Sequence, residues 1–371
     1  MTDTILLEEI PLSHGKSLGL VTLNNERTLN ALTLEMIHSL YAALQRWQAD
    51  SAVVAVFLQG AGDKAFCAGG NVRSIYDSVK AHPQQIPNQL ALDFFASEYR
   101  LDYLIHCYKK PLIVWGHGIV MGGGIGLMAG ASHRVVTEKS RLAMPEISIG
   151  LFPDVGATWF LNRAPQNSGL FLGLTGAQLN AADALFVGLA DAALPHAQRD
   201  FVLDQLKMAQ WSDDAFLNSE LVNRILRNAG RGMELPTSNV RKFFDLINES
   251  TQADSLPNIV EKLLQTACDD PWWQTAIQKL KIGCPTTAHL VYQQLQRGKK
   301  LSLVEVFQRE LIMALQCVAR ADFVEGVRAL LVDKDQRPQW QFADVGAVPV
   351  AWVEQHFMPP WSNQTHPLAD L

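Results

Sequence analysis

No stretch of this chain concentrates basic charge. Lysine and arginine gather at most in short runs such as Lys299-Lys300, and the formal charge is −6, so the footprint by which proteins hold nucleic acid is missing. No nucleic-acid partner is expected. Cysteine is sparse as well: five residues, at 67, 107, 268, 284 and 317, form no CxxC pair and leave one over. Such spacing supports neither a disulfide framework nor a zinc site, so no metal is expected and a cytoplasmic location in a reducing compartment is. No apolar run approaches membrane-spanning length, and the opening MTDTILLEEIP is acidic where a leader would carry a basic region. Neither export nor membrane attachment is expected. Low-complexity linkers and repeats of solenoid length are also absent.

What is present is enough apolar material for a large core, with 48% hydrophobic residues in 371. In the first half, the apolar runs Gly19–Leu23, Val53–Leu58, Leu112–Trp115 and Val135–Val136 read as strands between helical segments. The clearest helix runs from Thr33 to Asp50: Leu34, Ile37, Leu40, Leu44 and Trp47 recur at three- and four-residue steps, and Thr33 can cap the free N–H groups. This predicts an α/β layout. From about residue 197 the pattern turns to helices alone, near 198–209, 214–228, 257–267, 286–296 and 302–319, with breaks at Pro236, Pro257, Pro271 and Pro285. A boundary is placed near residue 190.

Three loops carry candidate chemistry. The first, Ala65 to Asn71 (AFCAGGN), follows the strand Val53–Leu58, and its glycines allow close backbone approach to a ligand; a tight turn that binds nothing has the same signature. The second, His117 to Gly126 (HGIVMGGGIG), holds three adjacent glycines, which suit either bared N–H groups or close helix packing. One N–H from each loop, near Gly70 and Gly123, would make a two-donor oxyanion hole, in which one donor is typically worth about 2.7–4 kcal/mol of transition-state stabilisation.

The third loop, MPEISIGLFPDVG, bears two acids eight residues apart, Glu146 and Asp154, each directly after a proline in apolar surroundings. Such surroundings raise a carboxyl's pKa and exclude water, and paired acids can handle a proton, a water or a substrate hydroxyl. The alternatives are structural. Glu146 can cap a helix or pair with a surface base, and Asp154 can be the N-cap of a helix beginning near Val155.

AFCAGG, the MGGG run and MPEISIGLFPDVG, in that order and at that spacing, resemble the crotonase superfamily of acyl-CoA enzymes. The resemblance implies a crotonase-like spiral of ββα repeats followed by an all-helical C-terminal region. Residues 1–190 would form the acyl-CoA-binding catalytic core, and 191–371 a helical region packed on it. By motif position Gly70 and Gly123 would polarise the thioester carbonyl, while the backbone of Ala68 and Gly69 would meet the CoA part of the substrate, Ala68 beside its adenine. The chain is most similar to the superfamily's hydrolase branch, through the acid in FPDVG, FFASEY at 94–99, CPTT at 284–287 and DFVEGVRALLVDKDQRPQW at 322–340. That branch acts on short, branched 3-hydroxyacyl-CoA thioesters in valine breakdown. Carried over, Glu146 would activate water or attack the carbonyl, and Asp154 and Glu98 would orient the substrate.

Hydratases of the superfamily use a second glutamate two residues after the last glycine of the triplet, where this chain has Gly126. A hydratase or isomerase on the same scaffold is therefore the second reading, and a CoA-binding protein without catalysis the third. No resident cofactor is expected, since CoA would arrive with the substrate, which is the only small-molecule partner implied. A homo-oligomer and a monomer both remain open. His117, His133, Cys67, Trp272-Trp273 and the Asp333-Lys334-Asp335 run are read as structural.

Overall fold

Alternation and burial decide the strands. Ile5–Pro11 (β1) has one side exposed, whereas Val53–Gly60 (β3) is buried along nearly its whole length, as expected of an edge and of a central parallel strand. In the computed structural model, which describes residues 3–361 and 365–371, β1 pairs antiparallel with Ser17–Leu23 (β2), and β2 pairs parallel with β3. Beyond β3 come Ala65–Cys67 (β4), Leu112–Gly116 (β5), Ile119–Met121 (β6), His133–Val136 (β7), Arg141–Ala143 (β8) and Ala192–Ala193 (β9). They sort into a six-stranded sheet, β1-β2-β3-β5-β7-β9, and a three-stranded one, β4-β6-β8.

The sorting is a repeat. β3 leads to β4 and the helix Val72–Ala81, and β5 to β6 and the helix Gly123–Ala129; β7 leads to β8 and a single helical turn at Glu146–Ser148. Each round adds one strand to each sheet, so this is the expected spiral of ββα turns, followed by helices alone after β9 among the described residues. The rounds differ in connection length and in side chains, which is why no repeat stands out in the sequence.

The chain forms two compact units from alternating segments. Met1–Gly70, Arg100–Leu142 and Leu179–Ser238 make the sheet unit; Asn71–Tyr99, Ala143–Gln178 and Asn239–Leu371 make the helical unit. The change of secondary structure read near residue 190 lies at β9, while the helices Arg199–Met208 and Ala215–Ala229 belong to the sheet unit. Val202, Leu206, Val222 and Leu226 from those helices pack with Ala55, Phe57, Ile113, Trp115 and Val135 from the large sheet in one core. The helix Leu34–Ala49 starts where the spacing predicts, with Thr33 Oγ1 accepting from the Met36 N–H at 3.2 Å, a cap worth about 1 kcal/mol.

In the helical unit the prolines begin helices more often than they break them. Pro257, Pro271 and Pro285 lie in the first turns of Leu256–Gln265, Pro271–Ile282 and Pro285–Gly298, where the missing N–H would have had no partner. The helix Pro271–Ile282 is thus an element that reading Pro271 as a stop misses. Its Trp273 is buried against Phe171 at 5.2 Å between ring centres, and the Trp272 indole N–H donates to the Gln178 carbonyl at 2.6 Å, so this pair is an anchor within the helical unit.

Candidate active site

The two glycine loops meet in the sheet unit. Gly69 has φ +102°, and a Cβ placed on it would lie 3.2 Å from the Met121 carbonyl oxygen and 3.7 Å from the Gly123 nitrogen. Gly122, at φ 48° and ψ −121°, turns the chain into the helix that Gly123 begins, a backbone state open only to glycine. As the first helical residue, Gly123 has an N–H with no acceptor inside its helix. The Gly70 N–H likewise donates to no protein acceptor among the described residues, because the bridge to Leu32 runs from the Leu32 N–H to the Gly69 carbonyl. Gly124 serves the other purpose of a glycine: a Cβ there would sit 2.3 Å from the Cys67 carbonyl oxygen. Ala68 gives its N–H to the Leu29 carbonyl at 3.0 Å, which leaves its own carbonyl as the backbone group for a ligand.

The acids gather in the helical unit. Glu98 comes from the helix Gln89–His106, Glu146 opens the turn after β8, Asp154 ends the FPD stretch, and all three are buried. Asp154 Oδ2 accepts from the Tyr99 hydroxyl at 2.7 Å. Asp154 is not the side-chain cap of the next helix, which is Ala157–Leu161 with Gly156 as N-cap. Among the described residues Glu146 has no basic partner, and its Oε2, like Oε1 of Glu98, has no hydrogen-bond partner. These open acceptor positions face the interior, where a polar group without a partner is costly.

Burial raises the pKa of every acid in the cluster, and the charge of Asp154 adds to it at Glu98 and Glu146. Glu98 and Glu146 are held well above the carboxylate range, first by desolvation and next by the charge of Asp154. Asp154 rises only to about 6, because the Tyr99 hydroxyl and its own backbone N–H favour its ionised form. Of these three acids Asp154 ionises first, and its charge then keeps the protons on the other two. The folded chain therefore holds protons that the unfolded chain has released, and stability falls as pH rises through that window. Histidines with lowered values, such as His117 and His133, act only below their ordinary 6.5. The melting temperature is thus expected to drop by several degrees from pH 7 to 8.5 in a calorimetric series, and a rise would contradict this account.

Two functional candidates escape a reading by motif. Tyr99 closes FFASEY, but its hydroxyl acquires meaning only from Asp154, 55 residues on. Glu310 is fully buried in the helix Leu303–Val318 and accepts from the Gly156 and Thr158 N–H groups at 2.7 and 2.9 Å. A sequence signal existed: Glu310 falls on the face that carries Val306, Phe307, Leu311 and Ala314, where a charge is out of place. His117 stacks on His196 at 4.6 Å and bonds to the Gly62 carbonyl, His133 bonds to the Ser219 carbonyl, and Asp333 and Asp335 pair with Arg328. All are accounted for structurally. Among the described residues no group of three or more His, Cys, Asp or Glu is placed to hold a metal, and no helix is long and apolar enough to cross a membrane.

A ββα spiral carrying glycine loops after β4 and β6 defines the class: the enoyl-CoA hydratase/isomerase family model matches residues 18–357, and the chain belongs to that family. Within it, the chain is 38% identical over 358 residues to the 3-hydroxyisobutyryl-CoA hydrolase, mitochondrial, of Danio rerio, covering 95% of this chain and 89% of that protein. To the Homo sapiens protein of the same name it is 35% identical over 360 residues, covering 94% and 88%. Two solved structures are similar along nearly the whole chain. A carnitinyl-CoA dehydratase from Mycobacterium thermoresistibile has a TM-score of 0.84 at 34% identity, covering 96% of this chain and 97% of its own. An enoyl-CoA hydratase from Rhodobacter sphaeroides 2.4.1 has 0.83 at 32%, covering 96% and 98%.

Proposed function

We propose that this chain hydrolyses the thioester of 3-hydroxyisobutyryl-CoA, or a similar short 3-hydroxyacyl-CoA, to the free acid and CoA, as in valine breakdown. The observation that carries the reading is the buried trio Glu98, Glu146 and Asp154, with unpartnered oxygens on the first two, in a chain whose curated relatives bear the hydrolase name. In this reading the N–H groups of Gly70 and Gly123 polarise the carbonyl oxygen, and the Ala68 and Gly69 backbone receives the CoA portion. Glu146 acts on the carbonyl carbon, and Asp154 and Glu98 hold the 3-hydroxyl. No resident cofactor takes part.

Glu146 has two routes. As a general base it takes a proton from a water that attacks the carbonyl carbon, and the CoA thiolate leaves and is protonated. As a nucleophile it forms a mixed anhydride with loss of the thiolate, and water then opens the anhydride and restores the carboxylate. A single turnover in heavy-oxygen water followed by mass analysis of the Glu146 peptide distinguishes them, since only the anhydride can leave label in that carboxylate.

The names of the two similar structures favour a second reading, addition of water to an enoyl-CoA. Against it stands Gly126, buried in the helix Gly123–Ala129, at the position where the superfamily resemblance places a hydratase's second glutamate. Thiol release from 3-hydroxyisobutyryl-CoA beside loss of crotonyl-CoA absorbance decides: release without hydration is expected, and hydration alone would overturn the proposal. Asp154→Asn is expected to reduce the preference for 3-hydroxylated over unsubstituted acyl groups by about ten- to a hundredfold, because a hydrogen bond to a charged group is worth about 1.5–3 kcal/mol. An unchanged preference, measured as a ratio of kcat/KM values, removes Asp154 from substrate recognition. As for location, the named relatives are mitochondrial, and five free thiols suit the cytoplasm as well as any other reducing compartment; we propose the cytoplasm.

A further inference from the structure

Glu310 is the one buried acid of the helical unit's cluster whose two oxygens are both committed to backbone. Oε2 takes the Gly156 N–H at 2.7 Å and Oε1 the Thr158 N–H at 2.9 Å, from 154 and 152 residues along the chain. The turn it grips runs against backbone preference. Val155 has φ 52° and Gly156 φ 87°, and a β-branched residue in the left-handed region is strained by something on the order of 1–3 kcal/mol. Gly156 is the N-cap of Ala157–Leu161 and has no side chain to cap it, so the free N–H groups there depend on Glu310. Besides this clamp, the turn is tied by the Ala157 N–H to the Asp154 carbonyl at 2.8 Å. Asp154 stands directly before the strained residue, and its side chain meets Tyr99 at 2.7 Å.

We propose that Glu310 is a positioning residue: by clamping Gly156 and Thr158 it holds the Val155 turn in the strained form that points the Asp154 carboxyl at Tyr99, beside Glu98 and Glu146. The inference rests on the hydrolysis proposed above for its kinetic consequence, and on the geometry alone for the placement of Asp154. A neutral residue of the same shape weakens the clamp without opening a cavity. Gln offers one acceptor and turns its NH2 against the other N–H, so one of the two bonds is lost. The turn then relaxes toward negative φ at Val155 and carries Asp154 away from Tyr99.

The test is kcat and KM for 3-hydroxyisobutyryl-CoA with Glu310→Gln, well below its melting temperature, together with a crystal structure of the variant. Expected are a loss of about 10- to 10²-fold in kcat with little change in KM, and a Tyr99–Asp154 separation too long for a hydrogen bond. Unchanged kcat with only a lower melting temperature overturns the proposal. If Glu310→Gln does not fold, Glu310→Asp keeps a carboxyl but, one methylene shorter, cannot reach both the Gly156 and Thr158 N–H groups. It should lower kcat in the same way, and full activity there also overturns the proposal. Absence of thiol release from the unmodified protein overturns the hydrolysis reading; a Tyr99–Asp154 bond retained in the Glu310→Gln crystal overturns the positioning role on its own.

Discussion

Glu146→Gln is expected to lower thiol release from 3-hydroxyisobutyryl-CoA by about 10²–10⁴-fold if Glu146 is a general base, and by as much as about 10⁶-fold if it is the nucleophile. The amide keeps the shape of the side chain but can neither accept a proton nor form an anhydride. The same substitution should stabilise the fold above neutral pH. Glu146 is buried with Oε2 unpartnered, and desolvation together with Asp154 holds its proton on well above the usual range. Ionising it therefore opposes folding, and Gln removes that ionisation. The melting temperature of the variant should exceed that of the unmodified protein at pH 8.5, and the gap should narrow as pH falls and close at about pH 4, where the glutamate is neutral in the unfolded chain too. A variant both inactive and less stable at pH 8.5 would point to a structural role for Glu146.

The rate has the opposite pH dependence from stability. Either route needs the ionised carboxyl, so kcat/KM should climb with pH as the proton leaves Glu146, while the fold loses stability over the same interval. Asp154 links the two, since its charge is the second cause of the raised value at Glu146. With Asp154→Asn the rising limb of kcat/KM is expected to move to lower pH. A limb that stays in place would mean that Glu146 and Asp154 do not share a field.

Local rules made much of this legible. Thr33 and the apolar spacing behind it set a helix that folds nearly as read, and the apolar runs around Val53, Leu112 and Val135 lie in parallel strands. The loops were visible because glycine and buried acid are rare together. What stayed hidden depends on partners distant in sequence. Pro271 reads as a stop but begins a helix, because a proline at the first position lacks only an N–H that would be idle. Tyr99 and Glu310 read as ordinary helical residues; their partners, Asp154 and the N–H groups of Gly156 and Thr158, come together only in the folded unit. Asp154 fits an N-cap by sequence, yet the cap is Gly156 and the N–H groups go to Glu310.

Gly69→Ala should lower kcat for thiol release by about 10²–10³-fold, the loss typical of one oxyanion donor, with the fold retained. Alanine at φ +102° is strained, and its Cβ would press the Met121 carbonyl at 3.2 Å and approach the Gly123 nitrogen at 3.7 Å. The strain is relieved by rotating the peptide that carries the Gly70 N–H or by pushing the Gly122 turn away. Either movement spoils the convergence of two donors on one oxygen, while the hydrogen bond from the Ala68 N–H to the Leu29 carbonyl keeps the loop anchored. Because the effect falls on charge that develops at the carbonyl oxygen, KM should change far less than kcat. A substrate analogue with a fixed oxyanion should lose affinity by the same factor as kcat. Equal losses in kcat and in affinity for free CoA would instead place Gly69 in binding of the CoA portion and take the oxyanion role from this loop.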